Sequence, residues 1–176
     1  MVRAMKWRFR QASPTDAPVL MHIERACRLD DVFLPIEQRL AHAPRLWRAW
    51  FQCAPPFDRH PSVRRGFIAY EHNDIFGFIA CAHDSMYAGY RADVAGLYVL
   101  PRYRRAGIGQ TLFAEAARWL AADGITRMTM TGYARSAVRP FGERLGGFVI
   151  QSVADEADPA ALITFGFSNL SELARE

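Results

Sequence analysis

The chain has little of what would mark a disulfide scaffold, a metal centre or a membrane protein. Its 176 residues include only three cysteines, Cys27, Cys53 and Cys81. They are odd in number, far apart and form no Cys-x-x-Cys pair, which argues against a disulfide framework or a structural zinc site and leaves each as a small buried hydrophobe. The histidines His22, His42, His60, His72 and His83 put no two side chains at a metal-ligand spacing on one helix, so no metal is expected. Only His83 keeps a role open. No apolar run approaches the length of a membrane span. The basic segment 1–10 is punctuated by arginines where a signal peptide would carry its apolar core, so the cytoplasm is the expected compartment. The net charge of +4 is modest and the arginines are spread along the chain, which disfavours a nucleic-acid partner.

What is present fits one soluble domain spanning 1–176, with 51% apolar and 23% charged residues and no repeat, linker or low-complexity tract. Residues 7–11 read as a first strand. Ser13, Pro14, Thr15 and Asp16 open a helix, with Thr15 as the expected cap, and Leu20, Ile23 and Cys27 then repeat on one face. A second helical region, 36–54, places Leu40, Ala43, Trp47 and Trp50 on one stripe, is interrupted near Pro44 and ends at Pro55 and Pro56.

From residue 63 the period becomes extended. Strands are expected at 63–70, 75–84 and 91–100, the first two antiparallel because the turn 71–74 is so short. A helix from Gly107 to Asp123, a strand at 126–131, a helix at 136–145 and closing strands at 148–153 and 161–167 complete the order. The expectation is an α/β fold with a mixed, mostly antiparallel central sheet flanked by helices.

The most informative stretch runs from Leu97 to Phe113: a strand, a proline-started loop bearing Arg102, Arg104 and Arg105, then Gly107-Ile108-Gly109 opening a helix. Free N–H groups at a helix start, the helix dipole and nearby guanidinium groups suit a diphosphate. A dinucleotide fingerprint would need glycine where Leu112 stands, and an NTPase phosphate loop would need a lysine that Gly109-Gln110-Thr111 lacks. The pattern that is met is Arg-x-x-Gly-x-Gly at Arg104, Gly107 and Gly109, preceded by Val99 and Pro101.

On these residues the chain resembles the GNAT superfamily of acetyl-CoA-dependent N-acetyltransferases. The resemblance covers nearly the whole chain, most strongly over 93–148 and least over 30–62. It implies that Arg104, Arg105, Ala106, Gly107, Ile108, Gly109 and Gln110 hold the pyrophosphate of coenzyme A. It also implies that the pantetheine arm pairs with main-chain groups of Leu97 and Val99, beside Tyr98, where two strands splay apart. Those side chains can equally be core, and both readings hold together. Gly96 suits a bulge that opens the sheet.

The reaction implied is transfer of the acetyl group of acetyl-CoA to a primary amine of a small molecule or peptide. Asp93 is the candidate base, or else a strand-edge carboxylate paired with Arg91. The family's usual acid, a tyrosine on the short helix before the last Gly-Phe, is absent, because Phe141 or Gly142 takes its place. Tyr133 is the candidate substitute, with packing over the strand end as its alternative, and Ser136 caps the helix that follows. The acceptor is expected between the helical segment 30–57 and the loop 84–90, where Asp84, Tyr87 and Tyr90 are candidate contacts; Trp47, Trp50, Phe51 and Phe57 read as core. No cysteine lies near the motif, which favours direct transfer. Two alternatives stay open: an acyl-CoA-binding module without transfer, and transfer to a hydroxyl or of a longer acyl chain. A homodimer is also left open.

Overall fold

Seven strands form one sheet: β1 (Arg8–Gln11), β2 (Arg64–Glu71), β3 (Asp74–Ala82), β4 (Ala92–Val99), β5 (Arg127–Tyr133), β6 (Phe148–Ser152) and β7 (Leu162–Ser168). The computed structural model describes residues 7–29, 46–57, 62–152, 158 and 161–175. The strand order is β1-β2-β3-β4-β5-β7-β6. Every pairing is antiparallel except β4 with β5. A parallel pair cannot be closed by a hairpin, and the long helix α3 (Ile108–Ala122), numbered after α1 and α2 below, makes the crossover. The mixed, mostly antiparallel sheet flanked by helices is the expected architecture.

Apolar periodicity decides which face each helix covers. Helix α1 (Ala17–Leu29) buries Leu20, Ile23 and Cys27 and, with Trp47 and Trp50 of α2 (Trp47–Phe51), covers Ile68, Phe78 and Ala80. On the opposite face α3 buries Ile108, Leu112, Phe113, Ala116 and Leu120 against Phe76, Ile79, Met128, Met130 and Phe165. There Phe141 of α4 (Val138–Arg144) packs on Phe113, and Leu170 of α5 (Leu170–Leu173) joins the same core.

Two local expectations need correction. The turn into α1 is closed by Ser13 rather than Thr15: the Ser13 N–H donates to Asp16 Oδ2 at 2.8 Å, and Arg10 grips the same carboxylate at 2.8 and 2.9 Å. Asp16 reaches back because Pro14 sets the first turn one residue earlier. Cys53 is half-buried, with its thiol 3.4 Å from the Ser62 carbonyl, rather than enclosed like Cys27 and Cys81. His83 stacks on Trp119 with ring centroids 4.6 Å apart, beside Asp123 at the end of α3 and away from the loop at its start. Of the helical region 36–54, residues 36–45, with Leu40, Ala43 and Pro44, lie outside the described residues. No described helix is long and apolar enough to cross a membrane.

Candidate active site

The sheet opens between β4 and β5. Their parallel ladder joins only Ala92, Val94 and the residue between them to Met128, Met130 and theirs, although β4 continues to Val99 and β5 to Tyr133. The opening starts at a bulge: Gly96 pairs with Ala80 and Val94 with Cys81, so Ala95 is the extra residue. Alternation flips there, which puts Asp93, Ala95 and Tyr98 on the α1 side and Leu97 and Val99 on the α3 side. Gly96 is required by close approach. A Cβ there would lie 2.8 Å from the Tyr98 ring and 3.1 Å from Trp47.

The direction of the β4 main chain follows from one bond. The Leu100 N–H donates to the Phe76 carbonyl at 2.9 Å, so Leu100 and Tyr98 point their main-chain groups at β3. Alternation then turns those of Leu97 and Val99 toward the gap. The Val99 carbonyl accepts instead from Arg104 Nε at 3.0 Å and from the Cys27 thiol at 3.2 Å. This corrects the expectation that no cysteine lies near the motif: α1 brings Cys27 across 72 positions of sequence.

At the end of the gap the loop enters α3. Arg105 and Gly107 both have left-handed backbones, φ 66° and 83°. Gly107 is the N-cap and offers no side chain, so the first helical bond is from Thr111 N–H to its carbonyl at 3.0 Å, and no described group caps the N–H groups of Ile108 and Gly109. A Cβ on Gly107 would meet nothing within 4 Å. Arg104, Arg105, Ala106 and Gln110 are exposed around this space and Ile108 is buried beneath it. The arrangement is a cationic, amide-lined cradle continuous with the gap, and it fits a diphosphate carrying an extended arm.

The face of β4, β5 and β7 toward α1 carries a polar floor. Thr129 donates to Asp93 Oδ1 at 2.6 Å and, its one proton so used, accepts from Ser85 at 3.0 Å. Asp93 therefore bonds to Thr129 on β5. Alongside, Thr131 Oγ1 lies 2.9 Å from Thr164 Oγ1, Thr164 lies 3.0 Å from the Tyr87 hydroxyl, and Tyr87 donates to Gln151 at 2.6 Å. Tyr87 is thus brought beside the open half of β5, and Asp84 is exposed at the start of the same loop. The Tyr90 ring covers Gly166 and carries Arg127 at 4.5 Å. Gly166 pairs with Thr129, so Tyr90 lies over the same face beside the Asp93–Thr129 pair, about 13 Å from Tyr133.

Four further residues meet above Gly96. Glu24 is fully buried and accepts from Arg28 Nε and Nη2 at 3.1 and 3.0 Å, from Trp47 Nε1 at 2.9 Å and from the Tyr98 hydroxyl at 3.3 Å. Arg28 Nη2 also donates to the Tyr98 hydroxyl at 2.9 Å. Burial opposes the charge on Arg28, but Tyr98, Glu24 and Tyr133 outweigh it and hold the guanidinium above the ordinary arginine value. Tyr133 stands at the wide end of the gap, its hydroxyl bonded to no described residue. Ser136 donates to the Tyr133 carbonyl at 2.7 Å and accepts from Val138 N–H at 3.1 Å, so its hydroxyl pins the turn into α4. Phe141 presents an apolar ring 3.4 Å from where a Gly109 Cβ would stand, and Gly142 faces Phe165, so α4 brings no hydroxyl to the gap from either position.

Glu24, Arg28, Thr129 and Thr131 escaped the sequence reading. Glu24 completes the stripe of Leu20, Ile23 and Cys27, so a carboxylate at a core position was visible, with Arg28 one turn on. The alternation Met128-Thr129-Met130-Thr131 marked a polar strand face opposite an apolar one.

The family model described as Acetyltransferase (GNAT) family matches residues 20–148. The chain belongs to that family and is an acetyl-CoA-dependent acetyltransferase. Among curated proteins none matches the sequence significantly. Solved structures share the fold. An acetyltransferase of the GNAT family from Streptococcus pneumoniae is 20% identical with TM-score 0.67, over 93% of this chain and 99% of that one. PaiA N-acetyltransferase from Thermoplasma acidophilum, in complex with coenzyme A, is 17% identical with TM-score 0.64, over 93% and 99%. YncA from Salmonella typhimurium, with its cofactor acetyl-CoA, is 14% identical with TM-score 0.68, over 92% and 93%.

Proposed function

We propose that this enzyme moves the acetyl group of acetyl-CoA directly to a primary amine of a small molecule or peptide. The observation that carries the reading is the continuity of the β4–β5 gap with the uncapped, glycine-opened start of α3. Main-chain groups of Leu97 and Val99, with Tyr98 beside them, hold the pantetheine arm as an added strand would be held. The loop from Arg104 through Arg105, Ala106, Gly107, Ile108 and Gly109 to Gln110 takes the diphosphate. Bound acetyl-CoA supplies an activated acyl group and a thiol leaving group.

The amine enters over the polar floor, with Asp84, Tyr87 and Tyr90 at its rim, Tyr90 over the Gly166 that pairs with Thr129. Asp93, oriented by Thr129, takes the proton that the amine must lose, directly or through water. Tyr133 gives its hydroxyl proton to the departing thiolate. The buried thiols of Cys27 and Cys81, the first already donated to a carbonyl, favour direct attack over an acyl-cysteine route. Three free thiols also agree with a cytoplasmic enzyme. Mass spectrometry of the intact protein during single turnover tests the direct route: no acetylated enzyme forms if it holds, and a transient acetyl adduct contradicts it.

The absence of a hydroxyl from α4 favours a second reading, a CoA-ester sensor that binds without transfer. The two part at turnover.

A further inference from the structure

The buried pair of Glu24 and Arg28 is asymmetric. Glu24 has no exposed surface, and Arg28, Trp47 and Tyr98 all donate to its carboxylate. Arg28 keeps 13% of its side chain exposed. Its Nε and Nη2 are spent on Glu24 and Tyr98, while Nη1 bonds to none of the described residues and is not shut away from solvent.

The place of that free edge is fixed by its neighbours. The Tyr98 ring, over which the guanidinium lies at 5.7 Å, rests above Gly96, and Tyr133 is close enough to bear on the Arg28 charge. Arg28 therefore borders the wide part of the gap on the α1 face, the same face as Asp93 and Thr129. The Tyr98 hydroxyl accepts from Arg28 and donates to Glu24, so what this corner offers outward is the Nη1 N–H pair of a guanidinium whose charge is paired with Glu24. A guanidinium locked in one orientation presents its remaining pair of N–H groups with little entropy left to lose, and the group that matches it is a carboxylate.

We propose that Arg28 binds a carboxylate on the acceptor, so that the amine acetylated here belongs to a molecule bearing both groups, as a free amino acid does. The inference rests on the reading of this face as the acceptor site. Carboxylate recognition at Arg28 leaves the other end of the cleft, with Asp93 and Asp84, for the amine.

The test compares acceptors that differ only in the carboxylate: alanine, alaninamide and ethylamine, then lysine, lysinamide and 1,5-diaminopentane. Acetyl-CoA consumption is followed by thiol release and referred to the free-amine fraction of each compound. The wild type is expected to prefer the carboxylate-bearing member in kcat/KM by about 10- to 100-fold, the range of one charged hydrogen bond. In Arg28→Gln, and in Glu24→Gln/Arg28→Gln where no buried charge is stranded, that ratio is expected to fall to near one. The wild-type series decides even if both variants fail to fold. Amides or plain amines used as well as the acids overturn the inference while leaving amine transfer intact. No turnover with any of the six overturns the acceptor reading and the role of Arg28 together.

Discussion

The Thr129 hydroxyl donates to Asp93 Oδ1 at 2.6 Å across the short parallel ladder that ends where the sheet opens. A hydrogen bond to the ionised carboxylate favours that form and fixes its direction. Asp93→Asn is expected to lower kcat/KM by roughly 10²- to 10⁴-fold at neutral pH and to flatten the acid limb of the pH–rate profile. Thr129→Val removes the donor, so the acid limb is expected to move to higher pH with CoA affinity unchanged. Identical acid limbs in wild type and both variants would put the base elsewhere.

Gly107 has φ 83° and open space where a side chain would go. Gly107→Val asks a branched residue for a left-handed backbone, a cost of about 1–2 kcal/mol, and fills the cradle. Calorimetry is expected to find CoA binding abolished in a folded protein. Arg104→Ala is expected to weaken binding less, by an amount that shrinks in high salt because the group is exposed. Undiminished CoA affinity in Gly107→Val would remove the diphosphate from this loop.

Tyr133→Phe keeps the ring at the wide end of the gap and deletes a hydroxyl that bonds to no described residue. It is expected to lower kcat severalfold while leaving the affinity for CoA and the melting temperature unchanged. An unaltered kcat assigns Tyr133 to packing.

Burial against Trp119, with Arg91 and Arg65 adding to it, outweighs Asp123 and holds His83 below the ordinary histidine value. The unfolded chain therefore takes up this proton at higher pH than the folded one. The stability at stake is present above about pH 6.5 and is lost as pH falls from there through the folded value. Thermal melts between pH 7 and pH 5 should show wild type losing stability faster than His83→Gln. Parallel losses in the two proteins would show that another group governs this range.

The fold was legible wherever periodicity was strong. Leu20, Ile23 and Cys27, the alternation through β3 and β4, and the glycine start of α3 each name a face or an end by local rules. The bulge was foreshadowed by Gly96, because a glycine within a strand signals a close approach. The loop proposed to hold the diphosphate was readable because it is contiguous in sequence. The face proposed for the acceptor was not. Asp93 lies 36 positions from Thr129, Cys27 72 from Val99, and Glu24 74 from Tyr98. Tyr87 and Tyr90 look equivalent in sequence, yet the loop turns one toward Thr164 and the other onto Gly166.

The most direct test of the account is acetyl-CoA turnover by the wild type with a mixed library of primary amines, amino acids and peptide N-termini. Free-thiol release is read alongside the thermal shift produced by CoA. Binding alone should stabilise the fold by about 2.7 kcal/mol at a ligand concentration ~100-fold above the dissociation constant. An amine acetyltransferase gives that shift together with thiol release above the uncatalysed rate and an N-acetylated product. A thermal shift with no thiol released across the library would contradict the account and leave a protein that binds the thioester without spending it.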